Sequence, residues 1–256
     1  MISMLTTTAL DFGYPWWLSQ GHLIALLPAL AGLVAAHFRS WPRWLMVLIG
    51  LFAAWAGAAY FVVQKLEVNT PPRLLTENFL RSGKGRVLDL GAGTGRSSIM
   101  LLAARPQATL VATDLFADSF NGHFGDHGRP QDRLMQNLKA AGVDQRATIE
   151  TADMLKLQFE ADSFDGIVSS YAMDHLGREG ARKGLAEAKR VLKPGGDFLL
   201  ILVENDRWTK LAFGPLLSHG GARGAKWWRE TATAAGFQAI EEGTAPATLY
   251  LLLRKP

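Results

Sequence analysis

The chain holds 256 residues, with 27 Lys and Arg against 23 Asp and Glu and a net charge of +4. That is room for one α/β domain and an added segment, and a mild basicity without Lys and Arg interleaved among aromatics excludes a nucleic-acid groove as the expected reading. The absence of cysteine removes disulfides, thiolate nucleophiles and cysteine-based metal sites.

The N-terminal stretch is the most apolar part of the chain. Neither Trp17 to Phe38 nor Trp44 to Val63 contains an Asp, Glu, Lys or Arg. Each matches the ~20 residues that a helix needs to cross a bilayer. Trp16, Trp17, Phe38, Trp41, Trp44, Tyr60 and Phe61 stand near the ends, where aromatic rings favour the headgroup level. Arg39-Ser-Trp-Pro-Arg43 separates the two and includes a helix-stopping proline. The pattern predicts two transmembrane helices, about 17–38 and 44–63, forming a hairpin within residues 1–66. A hairpin that dips into the bilayer without crossing satisfies the same composition. Lys65, Arg73, Arg81 and Lys84 follow the second segment, and the positive-inside tendency places the remainder in the cytoplasm. The expected location is a bacterial inner membrane, with the bilayer itself as a partner.

Residues 67–256 read as a separate domain. Asn69-Thr-Pro-Pro72 has the cap and early prolines of a helix start, which predicts a helix over about 73–81. Val87-Leu-Asp-Leu-Gly-Ala-Gly-Thr-Gly95 follows: a short buried strand, a glycine loop with Asp89 before it, and a helix from about Arg96. Glycine lets the loop turn and lets a ligand approach its backbone, while the helix start favours an anionic group. Ala108 to Asp114 is a second buried strand that ends in an acid, placed where a carboxylate can hold a ribose diol. The loop from Phe116 to Pro130 contains His123, Asp126 and His127. Its length suits a lid beside a ligand, and no metal site is expected there. A helix over about 132–141, a strand from Ala147 to Met154 and a strand from Phe164 to Tyr171 come next. A helix over 178–192 then leads to Lys193-Pro-Gly-Gly196 and a strand over 198–203. The chain closes with a helix near 225–235 and strands near 237–242 and 248–254.

Gly-x-Gly-x-Gly, Asp114, Asp153, the Asp165–Leu176 segment and the Leu-Lys-Pro-Gly-Gly turn occur in an order that resembles class I S-adenosyl-L-methionine-dependent methyltransferases. The likeness is greatest to the small-molecule and lipid type, such as ubiquinone/menaquinone and phospholipid methyltransferases. The resemblance implies an α/β fold, a Rossmann-like seven-stranded mixed sheet, here preceded by two transmembrane helices. It implies S-adenosyl-L-methionine as cofactor, held by Asp89, Gly91, Ala92, Gly93 and Gly95, by Asp114 with Leu115, by Asp153 with Met154, and by Ser169, Ser170 and Tyr171. His175, Asp174 and Tyr171 are the candidates for acid–base work.

The hairpin points to a lipid or other hydrophobic methyl acceptor, with the apolar stretch Trp208–Leu217 as a lid open to the membrane. Methylation of a soluble small molecule and a membrane module that binds the cofactor without turnover are the alternatives.

Overall fold

A computed structural model describes residues 10–65, 70, 72–117, 129–204, 206–214 and 223–256. Helices α1 (Trp16–Phe38) and α2 (Arg43–Gln64) form an antiparallel pair joined at the expected turn. Ala53, Ala56, Ala59 and Val63 of α2 and Ala29 and Ala36 of α1 are buried, so small side chains let the helices approach closely. The large apolar residues point outward: Leu27, Val34, Phe38, Leu51 and Phe61 are all more than half exposed. Most of the surface of the two helices is therefore left uncovered by the described residues.

The domain proper is built on one seven-stranded sheet in the order β3-β2-β1-β4-β5-β7-β6. Its strands are β1 (Lys84–Leu90), β2 (Gln107–Asp114), β3 (Ala147–Thr151), β4 (Phe164–Ser170), β5 (Leu192–Val203), β6 (Gln238–Ala245) and β7 (Thr248–Arg254). All run parallel except β7, which pairs antiparallel with β5 and β6. The last four residues of β1 and most of β4, β5 and β7 are buried because both faces of the sheet are covered. On one face α5 (Gly177–Val191) and α7 (Ala225–Ala234) close a core around Leu88, Phe164, Phe198 and Trp228. On the other, α3 (Arg96–Ala104) and α4 (Pro130–Ala140) pack Leu101, Leu134 and Leu138 against Val87, Leu110 and Val168. A short helix, α6 (Arg207–Phe213), follows β5. The strand order reverses between β1 and β4, which opens a crevice at their carboxyl ends.

Three expectations need correction. Residues 73–76 are irregular and 77–81 form turns, not a helix. Arg105 takes the carbonyls of Glu77 and Phe79, and Asp197 accepts from the Leu80 amide, so the backbone is bonded to the domain and not along its own axis. Leu80 also adopts φ 47°. The Lys193–Gly196 turn lies inside β5 as a bulge: Phe164 pairs with Leu192 and Gly166 with Asp197. The third strand stops at Thr151, and Asp153 belongs to an isolated bridge with Lys156. His123, Asp126 and His127 lie outside the described residues, as do residues 215–217 of the expected lid.

Candidate cofactor site

The glycine loop leaves β1 and folds back over β2. Gly91 and Ala92 amides both donate to the Thr113 carbonyl, at 2.8 and 2.9 Å. The Gly93 amide donates to Asp114 at 3.0 Å, and the Phe116 amide donates to the other oxygen of the same carboxylate at 3.1 Å. An ionised carboxylate offers about four lone-pair sites, so Asp114 retains acceptor capacity on the crevice side. Gly91 has φ 77°, and a β-carbon there would overlap that of Ala172 and crowd Met154. Gly95 has φ 94°, and its missing side chain makes room for Leu134. The glycines thus do different work: Gly91 brings the loop flush with the opposite wall, and Gly95 seats α3 against α4.

Asp89 lies beneath this loop, fully buried. Its Oδ2 accepts from Ser97 at 2.8 Å and Ser98 at 2.6 Å. Burial pushes its carboxyl up to about 6, against the lowering effect of the two hydroxyls and with a further rise from Asp114. Its Oδ1 has no hydrogen-bond partner among the described residues. Asp89 therefore braces the first turn of α3 and does not form the wall of the cleft.

The cleft has a volume of about 270 Å³. Gly91, Ala92, Gly93, Asp114, Leu115, Met154, Ser170, Tyr171 and His175 line it. Gly95, Asp153, Ser169 and Asp174 are not among its lining residues. Asp153 is exposed, and its carboxylate accepts from the Leu155 amide. Ser169 is buried and donates to the Leu90 carbonyl, tying β4 to β1. Asp174 is buried, and its Oδ2 accepts from the Val203 amide at 3.0 Å. Burial raises its carboxyl above the ordinary range, partly offset by the Val203 amide and by His175 and Arg223. It fixes the short 3-10 turn Met173–Leu176 to the end of β5. Tyr171, at φ 53°, turns its hydroxyl to Thr248. Burial raises its phenol. Of the acid–base candidates, His175 and Tyr171 reach the cleft.

Sequence reasoning passed over Tyr14, Arg96 and Ala172, all of which line the cleft. Tyr14 comes from upstream of α1. The peptide Leu10–Tyr14 is bound to the domain: Asn137 accepts from the Asp11 amide at 2.9 Å and donates to the Asp11 carbonyl at 2.7 Å and the Thr94 carbonyl at 2.9 Å. Thr94 donates to the Phe12 carbonyl, and Phe12 is 1% exposed within the α3–α4 core. Burial raises the Tyr14 phenol, with Arg96 opposing. A larger hollow of about 570 Å³ lies at the amino ends of the strands, lined by Lys84, Asp165, Lys193 and Asp197. Lys193 pairs there with Asp165, and Asp197 with Arg254, and the hollow lacks the loop and the switch point.

Residues 87–196 match the family described as methyltransferase domain. The chain is 38% identical over 115 residues to a demethylmenaquinone methyltransferase of Clavibacter sepedonicus, covering 45% of this chain and 40% of that protein. It is 27% identical to the ubiquinone/menaquinone biosynthesis C-methyltransferase UbiE of Geotalea daltonii, covering 49% of this chain and 48% of that one. The chain thus spans under half the length of these curated relatives. An O-methyltransferase family 2 protein from Planctomyces limnophilus, solved with apigenin, shares the fold at a TM-score of 0.58 and 19% identity, over 79% of this chain and 62% of that chain. Glycine loop, acidic β2 terminus and sheet order agree with that match: residues 87–196 are similar to a methyltransferase domain, within a sheet of the class I methyltransferase order.

Proposed function

We propose that the protein is a membrane-anchored methyltransferase that transfers a methyl group from S-adenosyl-L-methionine to a small, hydrophobic or lipid-like acceptor. Residues 1–66 serve as the anchor and 67–256 as the catalytic domain, with Leu10–Tyr14 lent by the first to the second. The carrying observation is the cleft itself, an acid-ended glycine-loop site whose wall includes the residue two before the first apolar helix.

The residues present fit the cofactor. Asp114 would hold the ribose diol with its spare lone pairs. Leu115 and Met154 would flank the adenine, and Ser170 and Tyr171 would face the methionine portion. The flush contact of Gly91 with Ala172 keeps the cleft narrow, which favours alignment and excludes water. When bound, the cofactor supplies an activated methyl group on a sulfonium. His175 would receive a proton at an imidazole nitrogen from an acceptor hydroxyl or acidic carbon. Asp174, held by Val203, positions the turn that carries His175. The two apolar helices and their exposed faces support the bilayer as partner, in the bacterial inner membrane with the domain on the cytoplasmic side. The similarity to quinone methyltransferases supports a lipophilic acceptor.

The test uses detergent-purified protein, methyl-labelled S-adenosyl-L-methionine and a total bacterial lipid extract. Label in the organic phase that disappears in Asp114→Ala supports the reading. S-adenosylhomocysteine formed only with a soluble metabolite extract moves the acceptor to the polar class. No product with either extract overturns turnover and leaves a cofactor-binding membrane module.

A further inference from the structure

The polar side chains within the hairpin reach toward the domain. His22 Nε2 lies 2.8 Å from the Ala212 carbonyl, and Trp55 Nε1 donates to the Leu211 carbonyl at 2.9 Å. The two rings meet edge to face, 5.5 Å apart. Both carbonyls belong to the last turn of α6, whose carbonyls have no partner within the helix. Ala212 is 3% exposed, packed on Ala59 and Val63 of α2 with Val62 and Phe213 at the margin.

The depth of this contact is informative. Gln64 donates to the Ser19 carbonyl at 2.8 Å, so the start of α1 and the end of α2 lie together on the domain side. At ~1.5 Å per residue, His22 sits ~9 Å in from Trp16 and Trp55 ~14 Å in from Gln64. The hydrocarbon core of a bilayer is ~30 Å thick. In water, an indole N–H, an imidazole and two helix-end carbonyls would need no partners. In hydrocarbon they must be paired internally; here His22 Nε2, the indole N–H and both carbonyls pair with one another, while His22 Nδ1 has no partner among the described residues. The start of α6 has the opposite character: Arg207 stacks over Trp208 at 4.9 Å, and Arg207, Trp208 and Lys210 are exposed. An aromatic with flanking long cations suits the headgroup level.

We propose that α6 is a third membrane-inserted element, dipping beside the hairpin with Arg207, Trp208 and Lys210 at the headgroups and the half-buried Leu211 and Phe213 toward the acyl chains. Because α6 follows β5 directly, and the Val203 amide at the end of β5 holds Asp174 beside His175, this insertion presses the carboxyl edge of the sheet onto the bilayer. A lipophilic acceptor then reaches the cleft sideways from the leaflet. The inference rests on the reading of the hairpin as membrane-spanning.

The chain has no cysteine, so one introduced cysteine can be labelled uniquely. Full-length Leu27→Cys in the exposed face of α1 and Leu211→Cys in α6 are labelled with a polarity-sensitive fluorophore. They are placed in phosphatidylcholine/phosphatidylglycerol vesicles and quenched by nitroxide lipids or by aqueous iodide. Trp208→Cys, at the exposed start of α6, is the second probe of that helix should Leu211→Cys not fold. The expected result is lipid quenching at Leu27→Cys and Leu211→Cys, with the α6 probe at the shallower depth and Trp208→Cys at the headgroups. Iodide quenching of both α6 probes while Leu27→Cys stays lipid-quenched overturns the inference and leaves the hairpin reading intact. Iodide quenching of all three overturns the hairpin reading and the inference with it.

Discussion

The cleft has two walls made in different ways. The wall formed by the glycine loop and the end of β2 is local and saturated. Its bonds join residues at most 24 apart, as in Gly93 to Asp114 and Thr113 to Asp89. The opposite wall and rim are assembled from distant pieces. Asn137 binds Asp11 across 126 positions, and Tyr171 binds Thr248 across 77. The first wall forms whenever β1 and β2 pair. The second needs the N-terminal peptide in place, since Tyr14 lines the cleft. Cofactor capture thus belongs to the domain, while closure of the site also draws on the N-terminal peptide.

The largest expected effect tests whether the local wall is rigid. Gly91→Ala places a β-carbon against Ala172 in a backbone conformation, φ 77°, that L residues rarely adopt. Cofactor affinity measured by calorimetry should fall by about 100-fold, which is ~2.7 kcal/mol. Affinity within threefold of the parent would mean that the loop shifts freely and that the flush contact is incidental.

Asn137→Ala tests the assembled wall. It removes three hydrogen bonds to Asp11 and Thr94 from a residue that is 3% exposed. With buried polar partners left unpaired, the cost should be about 2–3 kcal/mol, visible as a lower melting temperature. Cofactor affinity should fall as well, because Tyr14 loses its support. A destabilised variant with unchanged affinity would show that Tyr14 is a bystander in the cleft.

The same contrast explains what was legible. β1, β2, β4 and β5 each hold a short apolar stretch beside an acid or glycine, so these strands, the loop and Asp114 could be read locally. Arg96 was within reach, since it opens the helix directly after the loop. Tyr14 was not: it precedes two apolar helices, and nothing in Leu10–Tyr14 signals that Phe12 fills a core beside Leu134. Residues 73–81 misled for a related reason. Their local pattern permits a helix, but Arg105 and Asp197, far along the chain, claim the backbone groups that a helix would need. Asp89 was read as a ligand contact because it adjoins the loop, yet its side chain points under it to Ser97 and Ser98.

Asp89 also gives a pH-dependent test of the local wall. Its carboxyl rises from 3.8 to about 6 on folding, so the folded chain holds a proton that the unfolded chain releases. The stabilising protonated form is fully present below about 3.8 and is lost as pH rises through about 6. Asp89→Asn removes this slope while an amide oxygen still accepts from both serines. Relative to the parent, the variant should gain on the order of 2 kcal/mol between pH 4 and pH 7.5, read as a difference in melting temperatures at the two pH values. Parallel pH profiles for parent and variant would mean that Asp89 is solvated through its second oxygen.

Tyr171→Phe is the mildest change and separates wall from chemistry. The hydroxyl is committed to Thr248, which ties β4 to β7 across the rim, and its loss should cost ~1 kcal/mol. The ring stays in the α3–α4 core margin, so the cleft keeps its shape. Tyr171 also holds φ 53°, a conformation costing ~1–3 kcal/mol outside glycine, and the aromatic contact is what the fold gains in return. Turnover should therefore change by less than about threefold, since ~1 kcal/mol of stability leaves a folded domain folded. A drop beyond tenfold at full cofactor affinity would mean that the phenol leaves Thr248 during the reaction and shares the proton transfer assigned to His175.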